Sequence, residues 1–147
     1  MISTEHVRTM ARYNQWQNGS LYAAADTLDD ASRRLSRGAF FGSIHGTLSH
    51  LMWADRLWMA RFKGEPRPHD LPVKESPGYI ADWQRLKAER VADDAAIIDW
   101  ANGLDAAYLN RSLTWSSGIS GKERTLPIWL TITHFFNHQT QPRGQAG

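Results

Sequence analysis

The chain has 147 residues, a formal net charge of +2, seven tryptophans and no cysteine. That length is one domain and enough to bury a core unaided, while the lack of cysteine excludes thiolate ligands, a cysteine nucleophile and a disulfide framework, and fits a reducing compartment. Acidic and basic residues are interleaved, so the electrostatic footprint of a nucleic-acid binder is missing. No apolar run approaches the ~20 residues of a membrane span, and the N-terminus leads into an amphipathic segment without a signal-peptide pattern, so the expected location is cytoplasmic, with neither nucleic acid nor membrane as a partner.

Helical spacing of Val7, Met10, Ala11, Asn14 and Leu21 predicts a first helix over Thr4–Asp26, capped by Ser3 or Thr4. The polar segment Leu28–Arg37 reads as a short helix plus turn. A second long helix is expected over Phe41–Lys63, where Ile44, Leu48, Leu51, Trp58 and Phe62 mark a broad apolar face. Gly64, Pro66, Pro68 and Pro72 end it. The third is expected over Pro77–Asn102, with proline in its first turn and Gly103 as the stop. Leu113–Trp115 and Arg124–Leu126 alternate as strands around a turn near Gly118, a hairpin too small to stand alone in water and expected to lean on a helix. A fourth long helix begins near Pro127. Four long helical segments in one domain favour an all-α helical bundle with a short β-hairpin before the last helix.

Among the histidines, His134 and His138 lie about 40° apart on one helix, so both imidazoles can reach one ion, although two packed or surface histidines have the same spacing. His45 and His50 are about 140° apart and cannot share a site. The face of His50 carries Gly46, Thr47, Trp53, Ala54 and Leu57, and a buried histidine there needs a hydrogen bond or a metal. His45, His6 and His69 are expected at the surface. Asn14 suits either an interhelix hydrogen bond or the orientation of a ligand histidine. Asp55 faces away from His50, in a salt-bridge or capping role. The pairs Asp29–Asp30 and Asp93–Asp94 are expected to be solvated. There is no phosphate-binding glycine loop and no serine-nucleophile motif.

Taken together, these residues resemble a known family. Tyr13, Asn14, Trp16 and Asn18 match its motif in the first helix. Gly42, Ser43, Ile44, Thr47, Leu48, His50, Trp53, Ala54, Asp55 and Trp58 match that in the second. His134, Asn137, His138, Thr140, Arg143, Gly144 and Gln145 match that in the last. The family is the DinB (damage-inducible) family of metal-dependent proteins, and the resemblance covers nearly the whole chain in order. It implies an up-down-down-up four-helix bundle, often a homodimer, with three histidines on a divalent ion such as zinc or nickel. His50 matches the ligand from the second long helix and His138 the first of two from the last helix. The other falls at Pro142, which has no metal-binding side chain, and a histidine often found at the place of Gln141 is also missing. His134, about 5.4 Å or one turn before His138, is the candidate substitute. Inside a helix Pro142 removes one hydrogen bond and clashes with the His138 carbonyl, at ~3 kcal/mol, so the helix is expected to kink there or end just before it. The last helix is also expected to continue beyond Gly147, as in a truncated or degenerate member of the family.

Two functions follow from that resemblance. One is a metal-dependent thiol S-transferase or hydrolase-like enzyme with a degenerate site, acting with a low-molecular-weight thiol, with His50, His138 and His134 on the metal, Asn14 orienting a ligand, and Trp16, Trp53 and Trp58 lining the pocket. The other is a non-catalytic dimeric bundle, associated with stress, that no longer binds metal.

Overall fold

Ser3 starts the first helix: its backbone is extended and its hydroxyl accepts the His6 N–H at 3.1 Å, satisfying a donor that a helix N-terminus leaves free. Helix α1 spans Thr4–Asp26, as the spacing predicts, and buries Val7, Ala11, Asn14, Asn18, Tyr22 and Ala25 in a three-and-four stripe. The computed structural model describes residues 1–116 and 121–147; the turn expected around Gly118 lies outside that range. Among the described residues the chain forms six α-helices, one 3-10 helix and a two-stranded antiparallel sheet placed just before the last helix.

The short helix expected after α1 is α2 (Asp30–Arg34), capped by Asp29. Helix α3 spans Ile44–Lys63 and starts at Ile44 rather than Phe41. Gly42 sits at φ 85, which stops a helix, and Ser43 then caps the Gly46 N–H at 2.9 Å. At the other end Gly64 takes a left-handed conformation and the Glu65 N–H reaches back to the Ala60 carbonyl at 2.9 Å, a glycine-terminated helix end.

The third long helix was expected from Pro77, but Pro77 lies in a separate 3-10 helix, Val73–Gly78, and α4 (Trp83–Asn102) begins only after Asp82 caps the Arg85 N–H at 2.7 Å. Contacts with α3 explain the interruption. Ser49 Oγ donates to the Ser76 carbonyl and accepts from the Ile80 N–H, both at 3.1 Å, folding the 3-10 segment back onto α3. Gly46 permits that approach, because a Cβ there would stand 2.7 Å from the Phe41 carbonyl oxygen and 3.1 Å from Pro77 Cβ. Gly46→Ala is therefore expected to cost about 1–3 kcal/mol through overpacking, read by urea unfolding; wild-type stability would contradict so close an approach.

Helix α5 (Ala106–Leu109), capped by Asp105, has no counterpart in the sequence reading. Strands β1 (Ser112–Ser116) and β2 (Glu123–Pro127) pair with Leu113 opposite Leu126 and Trp115 opposite Arg124. As expected, the hairpin leans on a helix: the Trp115 ring meets Trp58 of α3 at 5.3 Å. Helix α6 spans Ile128–Ala146 with Pro142 inside it; of the two expectations, a kink at that residue or an end just before it, the second is corrected. Tertiary packing outweighs the lost hydrogen bond: Pro142, Arg143 and Ala146 are buried, and the Arg143 guanidinium donates to the Asn14 side-chain oxygen on α1.

The buried residues fall into two apolar clusters separated by a polar belt. Val7 of α1, Phe62 of α3, Ile97 of α4 and Ile132 of α6 belong to one cluster; Tyr22, Leu48, Leu86 and Ala146 of the same four helices belong to the other. Between them on each helix stand Asn14 and Asn18, Asp55, Arg90 and Asp94, and Gln139 and Arg143, all buried. Helices α1 and α6 therefore pass from the first cluster to the second, and α3 and α4 pass the other way. Arg90 bonds Asp55 at 2.8 Å and Asp94 at 2.8 Å, Gln139 donates to Asp55 at 2.9 Å, and Asn18 donates to Asp94 at 3.1 Å. Burial raises the Asp94 carboxyl, to about 6, against the pull of Arg90 and the Asn18 hydrogen bond. Asp55 thus has its expected salt bridge, whereas Asp94 is not solvated. Arg90 lies one helical turn before it and supplies the charge that lets a carboxylate be buried.

Candidate metal centre

Packing of α3 against α6 brings His50 and His138 together, with ring centroids 5.5 Å apart and planes tilted by 58°. His50 is 2 % exposed. Phe41 stacks on one side of its ring at 3.6 Å and Trp53 lies 5.7 Å away. His50 Nδ1 is 2.8 Å from Ser76 Oγ, and its Nε2 is buried with no hydrogen-bond partner among the described residues. Burial, followed by the nearby His138, pushes the His50 imidazole down to about 4, so it is neutral at physiological pH. In the tautomer whose Nδ1–H donates to Ser76, the free lone pair is on Nε2.

His138 is half-buried and makes no hydrogen bond among the described residues. Burial pulls its pKa down, the charge of Asp55 opposes this, and His134 adds to it. His134 is exposed; its ring lies 6.1 Å from that of His138 and meets Trp58 edge-on at 5.4 Å. As the side chains stand, no group of three His, Asp or Glu residues among the described residues is placed to hold a metal ion. The two-histidine part of the arrangement does suit one: a neutral imidazole with an orphaned, buried nitrogen lies 5.5 Å from a second neutral imidazole, and its other nitrogen is held by a neighbour, as is usual for a ligand histidine.

Other histidines depart from expectation. His45 is buried, with Nε2 2.8 Å from the Ile80 carbonyl and its ring near Trp83. The segment following the 3-10 helix covers that side of α3, which a helical wheel of α3 alone leaves open. His69 is half-buried between Trp53 and Tyr79 and lies 3.2 Å from the Trp53 carbonyl, while His6 is exposed as expected. Asn14 bonds Arg143 and Asp94 and hydrogen-bonds no histidine among the described residues, which favours the interhelix role. Trp53 and Trp58 adjoin the histidines; Trp16 is 64 % exposed and packs on Tyr13 instead.

The sequence reading passed over Ser76 and Phe41. The only local signal for Ser76 is a small hydroxyl before a proline, in a segment whose docking on α3 is a long-range event. Ser76→Ala leaves His50 Nδ1 unpaired, at an expected cost of about 1–3 kcal/mol in stability and about 10–100-fold in any metal affinity, measurable by urea unfolding and by zinc titration. Unchanged values in both would show that Ser76 does not hold the ring.

The chain is thus largely helical, with His50 of α3 beside His138 of α6. The chain belongs to the DinB family, whose model matches residues 1–147, the whole chain. No curated protein matches it.

Proposed function

We propose that this member of the DinB family binds a divalent ion, zinc or nickel, through His50 and His138, with His134 as candidate third ligand and water completing the set. The observation that carries the proposal is the buried, unpartnered Nε2 of His50, on a ring 5.5 Å from that of His138 and with Ser76 Oγ 2.8 Å from its Nδ1. An ion held there would lower the pKa of a bound thiol or water and present it as a nucleophile, the chemistry of a metal-dependent thiol S-transferase or a hydrolase-like enzyme. Ser76 fixes the ring of His50, Phe41 and Trp53 screen it from water, and Trp58 walls the side of His134. The opposed passage of α1 and α6 against α3 and α4 between the two apolar clusters supports an up-down-down-up bundle. The exposed pair Tyr13 and Trp16, with rings 5.9 Å apart, is apolar surface that a homodimer would cover. A cytoplasmic location and a low-molecular-weight thiol as co-substrate belong to the same proposal.

A second reading, a non-catalytic bundle that has lost its metal, draws on Pro142, which is buried where the family resemblance implies a ligand, and on the lack of a three-residue ligand group among the described residues. Metal analysis separates the two. Protein purified without chelator is expected to carry stoichiometric zinc or nickel, and His50→Ala is expected to abolish it with helical content retained. Metal-free wild-type protein that takes up neither ion, or stoichiometric metal indifferent to His50→Ala, favours the second reading.

A further inference from the structure

Arg61, near the end of α3, is a half-buried guanidinium with no hydrogen bond and no ion pair among the described residues. Its Cζ lies 4.6 Å over the Trp58 ring and 5.6 Å over the Trp115 ring. Arg67, from the connection after α3, stands on the same cavity and uses only Nε, which donates to the His69 carbonyl at 2.7 Å. The cavity measures about 230 Å³ and is also lined by Leu57, Ala60, Trp115 and Ser116. Glu65 completes the lining but forms no ion pair with either arginine among the described residues. Burial first, and then the charge of Arg67, pull Arg61 below its usual value. The C-terminal end of a helix favours one cation. It does not account for Arg67, which lies beyond the helix, or for a half-buried fork of donors left without an acceptor.

We propose that this cavity binds a small organic carboxylate, with Arg61 and Arg67 holding the carboxylate and Trp115 and Leu57 taking the organic part. Guanidinium forks match the planar, two-oxygen geometry of a carboxylate. Two arginines against Glu65 leave one positive charge in excess, which suits a monoanion and disfavours a phosphate dianion. The site stands apart from the metal reading because no histidine takes part in it. It adjoins the histidines all the same, since Trp58 carries Arg61 over its ring and His134 at its edge.

The test is a titration of the ¹⁵N-labelled full chain, freed of metal beforehand on a chelating resin, with benzoate and separately with inorganic phosphate, following the indole N–H signals. Benzoate is expected to shift the Trp58 and Trp115 signals saturably, with a dissociation constant in the millimolar range or tighter, and phosphate to bind more weakly. Arg61→Gln is expected to weaken benzoate binding by about tenfold or more, the loss of one charge-assisted hydrogen bond. Arg67→Gln, at an exposed position where folding is not at stake, is expected to weaken it several-fold. Absence of a saturable shift, phosphate binding as tightly as benzoate, or affinity unchanged in Arg67→Gln would each overturn the assignment.

Discussion

Replacing Arg90 by methionine is expected to lower the free energy of unfolding by about 3–5 kcal/mol, the cost of breaking a buried ion pair from one side. Arg90 is 3 % exposed and bonds Asp55 and Asp94, each at 2.8 Å, from between the two apolar clusters. Methionine fills much of the same volume, so the loss reports charge rather than a cavity. The remaining cation of the belt, Arg143, is directed at Asn14 and Asn18 and does not take over. Without Arg90 the Asp94 carboxyl, already raised by burial, loses the cation that opposes the rise. The deficit relative to wild type is then smaller at acid pH, where Asp94 is protonated, and grows as pH rises through its folded pKa. Urea unfolding at neutral pH and near pH 4 checks both parts; a loss below about 1 kcal/mol at neutral pH would return Arg90 to the range of a surface pair.

Acid is expected to destabilise the metal-free wild-type protein through His50. Its folded pKa, about 4, lies below the ordinary histidine value of about 6.5. The unfolded chain therefore binds more protons in that window, and the stability contributed by the neutral buried ring is present above about 6.5 and lost as pH falls toward 4. A full shift of that size corresponds to about 3 kcal/mol. His45, also lowered by burial, acts with the same sign, and Asp94, raised to about 6, with the opposite one, so the His50 part is read against His50→Leu. Unfolding free energies measured in EDTA from pH 7 to 4 are expected to fall more steeply for wild type than for His50→Leu. Parallel curves would mean that His50 is not held neutral.

What could be read from the sequence follows the range of the interactions. Ser3 and Ser43 cap helices through residues three positions ahead, and the stripe from Val7 to Ala25 repeats locally, so α1 and most of α3 were legible. So was the pairing of His50 with His138, through the motifs that carry the family resemblance. Contacts made far along the chain were not. Ser76 reaches His50 across 26 positions, Arg90 reaches Asp55 across 35 and Gln139 reaches Asp55 across 84; none leaves a periodic trace. Asp94 looked solvated because its partners on α1 are remote, and His45 looked exposed because its cover comes from the segment after the 3-10 helix. Pro142 misled in the opposite sense: its local cost is real, but burial of Arg143 and Ala146 holds the last turn in place.

The central claim is that His50 and His138 share an ion. Anomalous scattering from crystals grown with zinc, collected on either side of the zinc edge, tests it most directly. One strong peak is expected about 2.0–2.1 Å from His50 Nε2 and from a ring nitrogen of His138. A peak that leaves His50 uncoordinated, or no peak between the two rings in crystals whose protein contains stoichiometric zinc, would contradict it.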